Sequence, residues 1–407
     1  MEAISITGIG VISSIGIGRQ AFWDACCQTR SGVRPISAFD TGSYSANVAA
    51  TVVDFKPAEF MPPMVYRRMS PVSRMAVAAS IEAVSDSGID PKILASDRVA
   101  ILMGTAYGSS SHVDQFYLSL LDDGPRGAQP LLFPETVPNA PASHIAMVHQ
   151  IRGPNATFCQ NDISAEAAII YAKSLLELDV VDVALVGGAE ELSEILFACH
   201  DAVGGLNPIR VDSPEEVCPQ PGGGLILGEG AAVLIMEKTT TARQRGARIY
   251  GELVSDACTG ELAAMGHYAT KGDAVIRTGR QAMEQAGIMP ADIGQINVSA
   301  NYAKELDTME CEQLQRLFQY KKESLQVTPL KYLIGDFGAA GVTRAAALLL
   351  SLYHQCNLPE VPVSALSSVH TDPLRWMPSQ SQKITHALMT STTFGGGTAS
   401  LVFSRAT

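Results

Sequence analysis

An aspartate lying between a β-prone run and a helical one is the residue of this sequence best placed to do chemistry. In GPNATFCQNDISAEAAI, residues 153–169, the stretch up to Cys159 favours strand and the Ala-rich stretch from Ser164 favours helix. Asp162 therefore falls at or near a helix N-terminus. Backbone N–H groups and the positive end of the helix dipole converge at such a junction, where enzymes hold a nucleophile or an anion. Aspartate is also among the best N-caps, and a structural cap is the simpler expectation for an isolated one. A second carboxylate, Asp336, lies in the Gly-rich stretch KYLIGDFGAAG. If the two approached each other, like-charge repulsion would raise one proton affinity and set a general acid beside a general base.

The elements that would position these groups alternate along the chain. A β-prone segment over residues 3–17, broken by glycines, reads as a strand entering a close-packed turn. Its GIGVISSIG lacks the G-x-G-x-x-G spacing of a dinucleotide site. Helical periodicity over 69–87, a strand at 99–104 and a loop becoming a helix over 107–121 precede the junction at 162. A strand over 180–191 follows it, and VCPQPGGGLILGEGAAVLIMEK reads as a loop. TTTARQRGAR marks a seam, after which the alternation restarts: strands at 249–259 and 293–301, helices at 273–287, 310–319 and 338–355, and two strands about a Gly turn over 384–403. This pattern implies an α/β layered protein of two halves, 1–245 and 246–407. A short echo between ILMGTAYGSSS and ALMTSTTFGGG suggests that one half duplicates the other.

Composition excludes several classes. The 407 residues, 46% hydrophobic, can bury a large core, and a net charge of −12 is the wrong sign for a nucleic-acid footprint. No apolar run is long enough for a membrane span and the N-terminus lacks a basic signal region, so a cytoplasmic protein without a membrane partner is expected. The eight cysteines show no C-x-x-C spacing, so neither a disulfide framework nor a metal centre is expected.

Five segments in order, GP…D-I-S-A, LGEGAAVLIME, VSAN…DTMECE, PLKYLIGDFGAAG and STTFGGGTASLVF, resemble the β-ketoacyl synthase family of the thiolase fold over nearly the whole chain. The resemblance implies two duplicated α/β halves in a five-layer α-β-α-β-α arrangement, with no cofactor, acting on acyl chains borne by acyl carrier protein. It also implies a nucleophilic cysteine where Asp162 stands, and histidines where Asn301 and Asp336 stand. Cys159 comes three residues too early to substitute. Lys331 and Glu310 persist at positions supporting the histidines and are expected to form a buried ion pair, while Phe394 lies in the Gly-rich loop.

A condensing site needs a thiolate to carry the acyl chain and donors for the developing enolate. A carboxylate at 162 is a poor nucleophile that repels malonate, one at 336 accepts where donation is required, and Asn301 alone offers a single contact. The expectation is a catalytically silent chain-length factor, the ketosynthase β subunit of a type II polyketide synthase, paired with an active ketosynthase and acyl carrier protein. Members of that type usually carry glutamine where Asp162 stands. The other readings are an enzyme with carboxylate acid/base chemistry and a scaffold without an acyl tunnel. By the same resemblance Ser110, Val113 and Tyr117, at i, i+3 and i+7, are expected to gate a substrate tunnel at a dimer interface. The strand ending near Cys159 is expected to pair across the dimer axis, with Ala156 and Phe158 beside it.

Overall fold

The computed structural model describes residues 2–264, 266–320, 325–358 and 383–406. Ten strands form the path of its main sheet, with the two-residue strand Gly16–Ile17 paired beside the end of the first: β1 Ile4–Ser13, β2 Val99–Gly104, β3 Asn155–Phe158, β4 Val183–Glu190, β5 Gly230–Lys238, β6 Gly251–Gly260, β7 Ile293–Asn297, β8 Gln326–Thr328, β9 His386–Thr392 and β10 Gly397–Ser404. Their order is β8-β7-β9-β10-β6-β1-β5-β4-β2-β3. Read outward from the β6/β1 junction, the two sides have the same order and the same directions. β1 and β6 each pair antiparallel with the last strand of their own half, and β2 and β7 each pair parallel with two neighbours.

The duplication is real, but the echo seen in sequence does not identify it. It matched β2 with β9, whereas the topology makes β2 equivalent to β7 and β4 equivalent to β9. Two further strands escaped the sequence reading. β5, taken as loop because of the Pro- and Gly-rich run before it, is buried along almost its whole length between β1 and β4. β8 has only three residues, too few to show a period.

The helices that matter are α1 Pro71–Ser87, α2 Ser110–Asp123, α3 Ala140–His149, α4 Ser164–Glu177, α5 Asp273–Ala286, α6 Lys304–Leu317 and α7 Ala340–His354. Helix α1 packs on β1, β4 and β5 from one side, and α5 packs on β6, β9 and β10 from the other. Between them lie α4 and α7, which touch each other and strands of both halves. This is the five-layer α-β-α-β-α arrangement. The two β layers are joined by three residue pairs, Ile4 with Leu253, Ser5 with Glu252 and Ile6 with Gly251.

Sequence explains the central layer. Every residue of α7 from Ala340 to Leu352 is buried, and a helix apolar on most of its circumference belongs inside. Strands β2 and β4 are buried on both faces, hence the unbroken apolar runs of parallel strands covered on both sides. One polar bridge crosses this layer. Arg344 of α7, fully buried, donates to Asn297 Oδ1 at 2.8 Å, Ser391 Oγ at 2.8 Å and the Thr390 carbonyl at 2.6 Å, and lies 3.7 Å from Glu166 of α4. Gly341 permits the approach, since a Cβ there would sit 2.4 Å from the Glu166 carboxylate.

Candidate functional site

Because the halves are equivalent, α4 and α7 bring their N-termini together, and the loops after β7 and β9 meet them there. Ligand-binding crevices in α/β sheets form at such strand ends. Asp162, in the turn between β3 and α4, and Asp336, ahead of α7, thus come to share one buried site.

The turn that presents Asp162 contains Asn161 in the left-handed region, with φ 50°. Ser164 braces it, its hydroxyl accepting from the Gln160 N–H at 2.8 Å and donating to the Asn161 carbonyl at 2.6 Å. Asp162 is not the N-cap: that place belongs to Ile163, which offers no side-chain bond. Its backbone N–H instead donates to Thr393 Oγ1 at 3.2 Å, and the Thr393 hydroxyl donates to Asp162 Oδ2 at 3.1 Å. Burial, reinforced by the Asp336 charge, pushes the Asp162 carboxyl up to about 6, against the opposing pull of Lys331. An aspartate that capped a helix would be held low instead, so a buried acid short of partners takes the place of the expected cap.

Lys331 and Asp336 form an ion pair at 2.5 Å, with side chains 1% and 4% exposed. This corrects the pairing of Lys331 with Glu310: Glu310 Oε1 takes the Ser299 N–H at 2.9 Å and the Thr390 hydroxyl at 2.6 Å. The reason is the acid at 336, where the resemblance implies a neutral imidazole. Burial pushes the Lys331 ammonium down, but the Asp336 and Asp162 carboxylates outweigh it and hold the cation above its ordinary range.

Asn301 spends its donors inside the protein. Its side-chain amide donates to Asp336 Oδ2 and, at 3.2 Å, to the Tyr268 hydroxyl, while its Oδ1 accepts from the Ala303 N–H at 3.0 Å. The loop is fixed from behind by Asp307, which accepts from the N–H groups of Asn301 and Tyr302 at 2.9 and 3.1 Å and from the Tyr332 hydroxyl at 2.6 Å. Tyr302 occupies the left-handed region with φ 76°, its ring stacked on Tyr332 at 3.7 Å. Phe394 packs on Tyr268 with ring centroids 4.6 Å apart.

The structure therefore brings together Asp162, Asn301, Asp336 and Lys331 and adds Tyr268, Thr393 and Asp307, which the sequence reading missed. Thr393 was within reach, as the neighbour of Phe394 in the Gly-rich loop. Tyr268 sits in GHYATKGD, where no periodicity marks it. Cys159 is solvent-exposed at the end of β3. Among the described residues no three His, Cys, Asp or Glu side chains are grouped as a metal site requires, and no helix is long and apolar enough to cross a membrane.

The tunnel candidates lie apart from this centre. Ser110 is buried and donates to Ser193 Oγ at 2.8 Å, Val113 is half-buried, and Tyr117 is 59% exposed. All three lie on α2, as their spacing requires, but the stripe turns outward along the helix and leaves Tyr117 at the surface. Leu118, Leu121 and Phe133 are exposed nearby, and β3 ends the sheet with one edge unpaired among the described residues. Ala156 and Phe158 on that strand are half-buried.

The family described as beta-ketoacyl synthase, N-terminal domain, matches residues 1–242, and its C-terminal domain matches residues 250–364. The chain is 26% identical over 408 residues to 3-oxoacyl-[acyl-carrier-protein] synthase 2 of Vibrio cholerae serotype O1, covering 99% of each chain. It is 28% identical over 417 residues to the Staphylococcus aureus (strain COL) protein of the same name, covering 99% of this chain and 98% of the relative. Among solved structures, one described as the ishigamide ketosynthase/chain length factor superposes with a TM-score of 0.88 at 26% identity, covering 100% of both chains.

Proposed function

We propose, for a chain that belongs to the β-ketoacyl synthase family and carries its thiolase-like fold, that it is the catalytically silent chain-length factor of a ketosynthase pair. In this reading 1–245 and 246–407 are its two halves, and its partners are a cysteine-bearing ketosynthase and the acyl carrier protein that bears the growing polyketide chain. One observation carries the reading: where a condensing site needs a thiolate and free donors, this site holds two carboxylates, with Asn301 and Lys331 already engaged by Asp336. The similarity to acyl-carrier-protein synthases and to a ketosynthase/chain length factor supports a place in acyl-chain elongation. The unpaired edge of β3 and the apolar side chains exposed around α2 support a partner chain.

Co-expression with a cysteine-bearing homologue tests the pairing. The expected result is elution as a 1:1 complex, with condensation running on the partner's cysteine. A stable, monodisperse monomer that ignores the homologue would overturn the reading.

Within the complex, once the partner covers α2, the small Ser110 and Val113 would leave the upper acyl tunnel open and the Tyr117 ring would close its floor. Tyr117→Ala is expected to lengthen the products and Ser110→Phe to shorten them, each by one or more condensations at normal turnover. The check is a mass-spectrometric product profile from the purified complex with acyl carrier protein and malonyl donors. An unchanged length distribution in both variants would remove this face from length control.

A second reading has one observation in its favour. A carboxyl held near 6 beside another acid is the arrangement of a general acid–base pair. Turnover of acyl or ester substrates by the isolated chain, abolished by Asp162→Asn, would select it.

A further inference from the structure

The second half carries an open cavity of about 990 Å3 on its outer side, walled by Leu262, His267 and Thr270 of one loop and by Lys304, Met309 and Glu312 of α6. Tyr268 also lines it, yet Tyr268 is only 6% exposed. Its ring faces two ways. Outward it meets the cavity. Inward, its hydroxyl accepts from Asn301 and its ring lies on Phe394, whose neighbour Thr393 binds Asp162.

The two loops that carry these rings are fastened to each other. The Gly395 N–H donates to the His267 carbonyl at 3.0 Å and the Glu261 N–H to the Gly396 carbonyl at 2.9 Å. Gly396, at φ 88°, approaches so closely that a Cβ would lie 1.9 Å from the Glu261 oxygen. Two crossing backbone bonds and a glycine contact make a fixed wall of this pair. A free flap would lack such cross-links and would keep its ring in solvent.

We propose that Tyr268, backed by Phe394, is the residue that shuts this chain's buried centre to the thioester arm of an acyl carrier. An arm entering the cavity meets the phenol ring before it reaches Asp162 or Asp336. Its hydroxyl also occupies one donor of Asn301, so the barrier and the loss of enolate stabilisation share one side chain. This deepens the reading of the chain as a silent subunit and rests on it: exclusion is steric as well as chemical. The site is thereby protected from binding an acyl arm that it could not turn over.

The test uses the full chain, with Asp162→Cys as an accessibility reporter and Cys159→Ser to remove the exposed thiol from the same peptide. Iodoacetamide is the probe, and mass spectrometry follows alkylation at position 162, with exposed Cys218 as internal reference. A closed centre reacts only when the structure opens locally, so with Tyr268 in place the reporter is expected to react at least about a hundredfold more slowly than Cys218. Tyr268→Phe keeps the ring and should stay slow, whereas Tyr268→Ala and Tyr268→Leu should each speed alkylation at least about tenfold. Melting curves confirm that the variants remain folded. If Tyr268→Ala does not fold, Tyr268→Leu, which keeps an apolar contact with Phe394, decides. Alkylation as fast as at Cys218 with Tyr268 intact overturns the proposal without need of any variant. So does the absence of acceleration in a folded variant that lacks the ring. Co-elution with a ketosynthase is read separately, so a shielded reporter in a chain that never pairs would retire the functional reading and leave the barrier standing.

Discussion

Lys331→Ala is expected to lower stability by about 3–5 kcal/mol, the usual cost of removing one partner from a buried ion pair. Lys331 is the cation that Asp336 and Asp162 share, and nearly all of its surface is buried. Without it two carboxylates remain, to which, among the described residues, Asn301 and Thr393 alone donate through side chains. The loss should belong to the uncompensated charge and not to the missing methylenes. The double variant Lys331→Met, Asp336→Leu removes both charges at similar volume and should return to within about 1 kcal/mol of the parent. Urea unfolding followed by circular dichroism measures both. A drop below about 1 kcal/mol in the single variant, or no recovery in the double, would show that the pair is not what holds this region.

Asp162→Asn should act in the opposite direction, with a pH dependence. Burial raises the folded carboxyl from its ordinary 3.8 to about 6, so folding favours the protonated form. Its contribution is therefore most favourable below pH 3.8, where folded and unfolded chains are both protonated. It is lost as pH rises toward 6, and the full penalty applies above 6. A shift of this size corresponds to something on the order of 2–3 kcal/mol, which an uncharged amide avoids. The amide oxygen still accepts from Thr393. Parent and variant should melt together near pH 4, separate between pH 4 and 6 with the asparagine chain more stable, and keep a constant gap from pH 7 to 8. A gap that does not change with pH would refute the assignment of the buried charge to Asp162.

Much of this could be read along the chain. The alternation of apolar runs and helical stretches carried the layered architecture, and the junction at residue 162 lies at the site. What could not be read was long-range. Asp162 looked like a cap because capping is a local rule; the structure gives it Thr393, 231 residues away, as its partner. The positions of Lys331 and Glu310 alone imply a pair, because nothing local shows that the acid at 336 captures the lysine at 2.5 Å. Tyr268 carries no signal, since a loop aromatic becomes meaningful only when Asn301 and Phe394 are placed against it. β5 was lost to the glycines before it, although AAVLIMEK is as apolar as β2.

The strand at the junction of the two halves sets an order of events at the ribosome. β1 is made first and only its last two residues are met by residues 16–17, yet its long neighbours on either side are residues 230–238 and 251–253. At synthesis rates of about 5–20 residues per second, the stretch ISITGIGVIS, buried throughout in the folded chain, would wait roughly 10–50 s before most of either edge could be covered. During that interval it is a largely unpaired, aggregation-prone strand, the kind of segment that chaperones hold. An N-terminal extension would emerge attached to that waiting strand, whereas a C-terminal one would appear only after its partners had been made. Yield of folded protein in cells should therefore depend on chaperone supply and on which end of the chain is tagged.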